Sequence, residues 1–179
     1  MKKILALTAL ALLLAASLAL AQLGSVGPTN NTLQVQVKPE ASFTITTGTT
    51  TSLSSTGTNF NPYTGTTSFT YYVRTTKSGG SGSIQLKVTT DFVGGAGGTG
   101  PSAASTTDPL TYITTRTGTG TAVSDTASTT DYTKVVDFGE DNRSAKAGDS
   151  GSVAWSLVND PQYETDTYSA VVTFTISAA

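Results

Sequence analysis

The densest group of chemically capable side chains in this sequence is an acidic cluster in its last third. It consists of Asp137, Glu140, Asp141, Asn142 and Asp149. Carboxylate and amide oxygens are ligands that Ca²⁺ accepts, so the cluster suggests a calcium site, although its spacing does not match an EF-hand loop. Because Arg143 and Lys146 lie in the same stretch, the competing interpretation is a solvated turn with local ion pairs.

A second acidic stretch holds Asp160, Glu164 and Asp166. Two carboxylates at the right separation can hydrolyse a glycosidic bond, but no other catalytic group accompanies these residues. The chain has neither histidine nor cysteine, which excludes Ser-His-Asp and Cys-His catalysis, thiolate and imidazole metal sites, and disulfides. We therefore expect a protein that is not an enzyme and needs no cofactor other than the calcium considered above.

Aromatic side chains offer another chemistry, the stacking of sugar rings. Because Trp155 alternates with Val153 and Leu157, it is expected in the core, whereas Tyr63 and Tyr163 fall in predicted loops and are surface candidates. The five aromatic residues considered for a sugar-binding surface are Tyr63, Tyr71, Tyr72, Trp155 and Tyr163.

The N-terminus has the pattern of a secretory signal peptide. Lys2 and Lys3 precede an Ala/Leu-rich run that ends in Ala19-Leu20-Ala21, which predicts cleavage after residue 21 and a flexible lead over 22–31. We expect the mature chain outside the cytoplasm, as an extracellular, cell-surface or periplasmic protein. It keeps eight basic and twelve acidic residues, and this net charge of −4 argues against nucleic acid or, after cleavage, a membrane as partner.

The elements that must position these residues are predicted to be strands. Period-two alternation recurs along 32–179, separated by turns rich in Gly, Ser, Thr and Asp, which indicates one antiparallel β-sandwich domain of about eight strands. About one residue in five is threonine, a residue suited to the solvent face of a strand. The predicted core comprises Phe43, Phe69, Val88, Trp155, Leu157, Tyr168, Val172 and Phe174. Long mobile loops are predicted over 93–108 and 115–130.

Short motifs resemble those of known secreted sandwiches. Asp166-Thr-Tyr168-Ser-Ala170 resembles the tyrosine corner of immunoglobulin-like domains. The stretch Leu33–Ile45 is similar to the start of spore coat protein U and related fimbrial-type proteins, with Phe43 where those proteins carry a cysteine. Pro109-Leu-Thr-Tyr112 and the last alternating strand add to the likeness, whereas both family cysteines are missing. The resemblance implies a secreted immunoglobulin-like sandwich that assembles at the cell surface, often by one subunit lending a strand to the next.

The segment that fits such a role carries Leu33, Val35 and Val37 in alternation with polar residues. An alternating strand from a neighbour would repair a sheet edge that lacks a partner, but the same segment could pair within its own chain, and the sequence leaves both alternatives open. The expected function is a structural or adhesive surface protein, a fimbrial- or coat-like subunit that self-associates. The alternative is a secreted module that binds a polysaccharide surface, with calcium assisting.

Overall fold

A computed structural model describes residues 31–57, 59–95 and 98–179. The predicted signal peptide, and all but the last residue of the predicted flexible lead, lie outside these residues. The chain divides into two compact units, Met1–Gln36 and Val37–Ala179. In the first unit, residues 31–36 form no strand and are exposed. The second unit carries every strand described below.

The second unit consists of strands and the turns between them. Short runs that alternate inward apolar and outward hydroxyl residues build these strands, as in β2, where Phe69, Tyr71 and Val73 are buried between exposed or half-buried neighbours. The nine strands are β1 Glu40–Ile45, β2 Tyr63–Arg74, β3 Gly82–Gly94, β4 Thr111–Thr117, β5 Thr121–Ala122, β6 Asp125–Thr126, β7 Thr133–Phe138, β8 Asp149–Leu157 and β9 Tyr168–Ala178.

The strands form two sheets in which every described pairing is antiparallel. The first sheet has the order β1-β2-β8-β4-β6, and the second has the order β5-β7-β3-β9. The predicted all-β class and its antiparallel two-sheet arrangement are confirmed. β3 carries two register irregularities against β9, between Val88 and Thr90 and between Thr90 and Val93, where extra residues bulge out of the ladder.

The core lies between the sheets and is rich in aromatic contacts. Tyr112 and Trp155 meet edge to face with ring centroids 5.9 Å apart, and the Trp155 indole donates a 2.8 Å hydrogen bond to Thr67 Oγ1. Of the predicted core residues, Phe69, Val88, Trp155 and Leu157 are buried, and Phe43, Val172 and Phe174 are half-buried against the core. Tyr168 lies outside the core, at the start of β9.

The predicted long loops are shorter than expected and partly regular. β3 extends to Gly94 and β4 to Thr117, so both strands run into stretches that the composition assigned to loops. The stretch after β4 also contains the two-residue strands β5 and β6. Ser and Gly are poor signals of a strand, but the ladder is made by backbone groups, which every residue except proline provides in full.

One short segment closes a flank of the sandwich by joining both sheets. This closing segment, Thr121–Ala127, pairs with β7 through β5 and with β4 through β6. Its backbone also donates from Val123 N to the Val135 carbonyl at 2.9 Å and from Ala127 N to the Leu110 carbonyl at 2.8 Å. On this flank, one segment of the chain therefore supplies the last strand of both sheets.

Two buried tyrosines support the closed flank from inside. The Tyr71 hydroxyl donates to the Thr119 carbonyl at 2.6 Å, just before the closing segment, and the Tyr112 hydroxyl donates to the Lys134 carbonyl at 2.6 Å. Burial, with the nearby charge of Asp149 adding to it and that of Arg116 opposing it, raises the pKa of Tyr71 to about 12. Burial also raises the pKa of Tyr112.

Candidate functional site

The other flank of the sandwich, between β1 and β9, is open. β1 is the edge strand of the first sheet and β9 the edge strand of the second. Phe43 of β1 and Phe174 of β9 stack across the gap between the sheets, with ring centroids 5.5 Å apart. The inward side chains along this open flank are half-buried rather than buried: Ala41, Phe43, Ala170, Val172, Phe174, Ile176 and Ala178.

The β9 edge differs from the other three sheet edges. β9 has 11 residues, none of them charged and none of them proline, so its backbone presents a long ladder side with no device that blocks pairing. β5 and β6 have two residues each. β1 has six residues, begins with Glu40 and follows Pro39. Among the described residues, β9 is therefore the edge best suited to accept a further strand.

The N-terminal segment carries the apolar row that the sequence singled out. Leu33 is 88% exposed, Val35 87% and Val37 64%. No described strand pairs with this stretch, which lies before the start of β1 at Glu40. These three branched aliphatic side chains alternate as they would in a strand, and together they form an apolar surface that is exposed to water.

Arg74 fixes the chain where this segment leaves the sandwich. Its Nε donates to the Lys38 carbonyl at 2.8 Å, and its Nη2 forms an ion pair with Glu40 at 3.1 Å. Arg74 lies at the end of β2, opposite Glu40 in the β1–β2 register. One guanidinium therefore holds the two residues on either side of Pro39.

The residues of the predicted calcium cluster have separate partners. Glu140 accepts from Gly79 N at 2.8 Å, Asp141 forms an ion pair with Arg143, Asp137 forms one with Lys134 at 2.8 Å, and the Asn142 amide donates to the Glu140 carbonyl. In the part of the chain that the structure describes, no three acidic, histidine or cysteine side chains come together in a group that could hold a metal.

Asp149 of the same cluster is buried at the start of β8 and acts as a structural acceptor. Its carboxylate accepts from Thr119 N at 2.6 Å and from Ala145 N at 3.1 Å. These bonds join the turn before β5 to the turn before β8. Each residue of the cluster thus takes part in an ion pair or a hydrogen bond within the protein.

The aromatic residues considered for a sugar-binding surface are dispersed. Tyr71 and Trp155 are buried, and Tyr63 is half-buried against the core. Tyr72 is exposed on the outer side of β2, with its hydroxyl donating to the Ala147 carbonyl at 3.2 Å. Tyr163 is half-buried in the turn before β9. Two further aromatic residues that were not among these five, Phe60 and Tyr132, are exposed.

Tyr168 occupies a built site at the start of β9. Its hydroxyl lies 3.1 Å from both the Glu164 and the Thr99 carbonyls. The backbone of Gly100 comes so close to the ring that an added Cβ would lie 2.1 Å from Tyr168 Cε1. Desolvation, with Asp166 and Glu164 adding to it, raises the pKa of Tyr168. A tyrosine hydroxyl bonded to the backbone four residues earlier is the geometry of a tyrosine corner.

The fold of residues 31–57, 59–95 and 98–179 contains no helix of the length and hydropathy that a membrane span requires. Comparison with known proteins adds no relative to this picture. No protein-family model, no curated protein and no solved structure matches the chain.

Proposed function

We propose that this chain is a secreted, non-catalytic structural or adhesive protein of the cell surface, a fimbrial- or coat-like subunit. It assembles by lending the segment around Leu33, Val35 and Val37 to the open flank of a second copy. The observation that carries the proposal is the coexistence, in one chain, of an exposed alternating apolar segment and an uncharged 11-residue edge strand.

The donor side of the proposal rests on the cost of leaving this segment in water. Burying a Val or Leu side chain is worth about 1.5–3 kcal/mol, and Leu33, Val35 and Val37 gain little of it in the single chain. Added as a strand to β9, they would cover half-buried residues such as Val172 and Phe174 while their backbone paired with the open ladder.

Closure within one chain is disfavoured by the residues that would form the turn. Folding the segment back onto β1 would place Lys38 and Pro39 at the centre of a tight hairpin. The type I′ hairpin turn needs a positive φ at both central residues, which Pro39 cannot adopt. Arg74 further holds the backbone on both sides of Pro39. A hairpin with β1 is thus disfavoured, which leaves β9, on a second copy in this proposal, as the edge with which the segment pairs.

The immunoglobulin-like assignment and the location are parts of the same proposal. Two antiparallel sheets packed face to face, with a tyrosine-corner bond at Tyr168, support an immunoglobulin-like sandwich. The Lys2-Lys3 start, the apolar run and Ala19-Leu20-Ala21 support secretion. The lack of histidine and cysteine removes the commonest catalytic groups and supports a non-catalytic role.

The test compares the chain from Gln22 onward with a variant that carries Leu33→Ser, Val35→Ser and Val37→Ser. Size-exclusion chromatography with light scattering would follow association over a concentration series, and thermal melting would follow stability. We expect multimers of the parent that grow with concentration, with a Tm that rises as they form, and a monomeric variant whose Tm matches that of the parent at the dilution where the parent is monomeric. A peptide spanning Asn31–Glu40 should raise the variant's Tm, because it binds only the folded state.

The matched control changes the other face of the same segment, with Gln34→Ser and Gln36→Ser. It should assemble like the parent, because its apolar row is intact. A parent that stays monomeric at all concentrations would overturn donation between copies. If the triple variant of such a monomeric parent also loses several degrees of Tm, the segment closes its own sandwich instead.

A further inference from the structure

A strained residue marks a second surface, at the loop between Ser54 and Thr64. In the described part of the chain, two residues other than glycine have a positive φ, Phe60 at 49° and Asp141 at 53°. A short polar residue such as Asp enters this region readily, whereas a phenylalanine there is a genuine outlier. Such strain persists only where the surroundings impose it, and it concentrates at functional sites.

The contacts that impose this conformation are visible on both sides of Phe60. Ser54 and Thr64 exchange two 2.9 Å backbone hydrogen bonds, which close the base of the loop. The carbonyl of Asn61 accepts from Ser55 Oγ at 2.8 Å and from Asn159 Nδ2 at 3.2 Å. The backbone next to Phe60 is thus fixed to its own loop and to the turn that follows β8.

The strain does not bury the ring of Phe60. Its side chain is 60% exposed, so the chain bears both a strained backbone and an apolar ring in water at one position. A core role would hide the ring, and a turn role alone would be better filled by Gly or Asn. The arrangement instead keeps an aromatic ring exposed next to backbone that is held by hydrogen bonds.

The surroundings of this ring define the chemistry of its ligand. The two loops, residues 54–64 and 158–164, contain no Lys or Arg and only two carboxylates, Asp160 and Glu164. Their other polar side chains are uncharged, among them Ser and Thr hydroxyls and the amides of Asn59, Asn61, Asn159 and Gln162. An anionic ligand would need basic residues, and a protein partner would need a broader apolar patch.

We propose that Phe60 is the stacking residue of a contact site for neutral saccharides, with the neighbouring amides as hydrogen-bonding groups. The C–H face of a sugar ring fits the negative face of an aromatic ring, and amides both donate to and accept from sugar hydroxyls. This site lies on different residues from the proposed assembly segment and does not depend on it.

The test uses native gel electrophoresis of the purified protein in gels cast with mixed-linkage β-glucan, galactomannan or dextran, and with alginate as an anionic comparison. We expect retardation by at least one neutral polymer and none by alginate. Phe60→Asn should weaken the retardation about tenfold or more, as expected when a stacking contact is lost. It should also raise the Tm by about 2–4 °C, because Asn relieves the left-handed strain.

Matched variants make the outcome decisive. Phe60→Trp should keep the retardation, and so should Tyr132→Ala, which removes a 46%-exposed aromatic side chain elsewhere. The Leu33/Val35/Val37 serine variant should also keep it, which separates this site from assembly. No retardation by any neutral polymer, retardation that survives Phe60→Asn, or a lower Tm in Phe60→Asn would overturn the proposal.

Discussion

The two flanks of the sandwich end in different ways. On one flank, the closing segment Thr121–Ala127 crosses from one sheet to the other and pairs with both. On the other flank, β1 and β9 approach each other as two edges, bridged by the stacked rings of Phe43 and Phe174. The closed flank leaves its inner residues buried, and the open flank leaves its own half-buried.

This difference shows what a complete flank requires of the chain. Two-residue strands suffice at the closed flank, because one segment supplies backbone partners to both sheets and covers the core between them. The open flank has a longer edge and a longer apolar row, yet no described segment covers it. Among the residues that the structure describes, the alternating apolar stretch around Leu33, Val35 and Val37 has no place in a sheet.

The largest effect should come from cutting back a core side chain at the closed flank. Leu110 is buried beside the closing segment, so Leu110→Ala should lower the free energy of unfolding by about 2–5 kcal/mol. Val172→Ala at the open flank should lower it by about 1 kcal/mol in the monomer. Urea unfolding of both variants measures the contrast, and equal losses would mean that the two flanks are packed equally well.

A smaller effect should come from alkaline pH, through Tyr71. Below pH 10 the tyrosine is protonated in both states and its stabilisation is complete. Between about pH 10 and 12 only the unfolded state loses the proton, so stability falls as pH rises, by about 2 kcal/mol in total. Tyr71→Phe should be less stable at neutral pH, by about 1 kcal/mol, and should show a shallower alkaline loss.

Thermal melts from pH 8 to 12 would measure this loss for the parent, Tyr71→Phe and the exposed-tyrosine control Tyr132→Phe. The control should keep the parent's alkaline slope. An unchanged slope in Tyr71→Phe would show that the hydrogen bond from Tyr71 to Thr119 does not contribute to the stability of the closed flank.

The smallest effect, and the most specific to the open flank, should come from one charge on the β9 edge. Thr175→Lys places a lysine at an exposed position of β9, and lysine on an edge discourages pairing. We expect association to weaken about tenfold, with little change in Tm. Thr66→Lys is the control, an exposed threonine on β2, which is paired on both sides. Light scattering that showed equal weakening by both would point to general charge repulsion rather than to the edge.

Much of the strand pattern could be predicted from the sequence. Two stretches show this, Phe69-Thr-Tyr71-Tyr-Val73 and Val153-Ala-Trp155-Ser-Leu157. Their alternation indicates which side of a strand is buried, because side chains alternate between the two faces. Buried Phe69, Val88, Trp155 and Leu157 follow from that rule. The two-residue strands β5 and β6 do not, since so short a ladder has no period to detect.

The candidate sites were harder to predict, for reasons that concern distance and conformation. Acidic residues close in sequence, such as Glu140 and Asp141, turn to different partners in space, which composition does not reveal. The backbone carbonyl of Asn61, next to Phe60, accepts a hydrogen bond from Asn159, far along the chain, and the sequence does not reveal such a contact. The lack of charged residues along β9 can be seen in the sequence. The position of β9 at a sheet edge cannot, because it depends on the order of the strands in the sheet.

The pairing of β3 with β9 also has a consequence for how quickly the chain folds. Ser83 and Ser177 meet in this ladder although 94 residues separate them in sequence. For such distant residues to meet, a long loop must close, and its entropy is lost before any bond between the residues forms. Proteins dominated by contacts of this kind fold in milliseconds to seconds. The second sheet should therefore form late, and β3 should spend the early part of folding with one side unpaired.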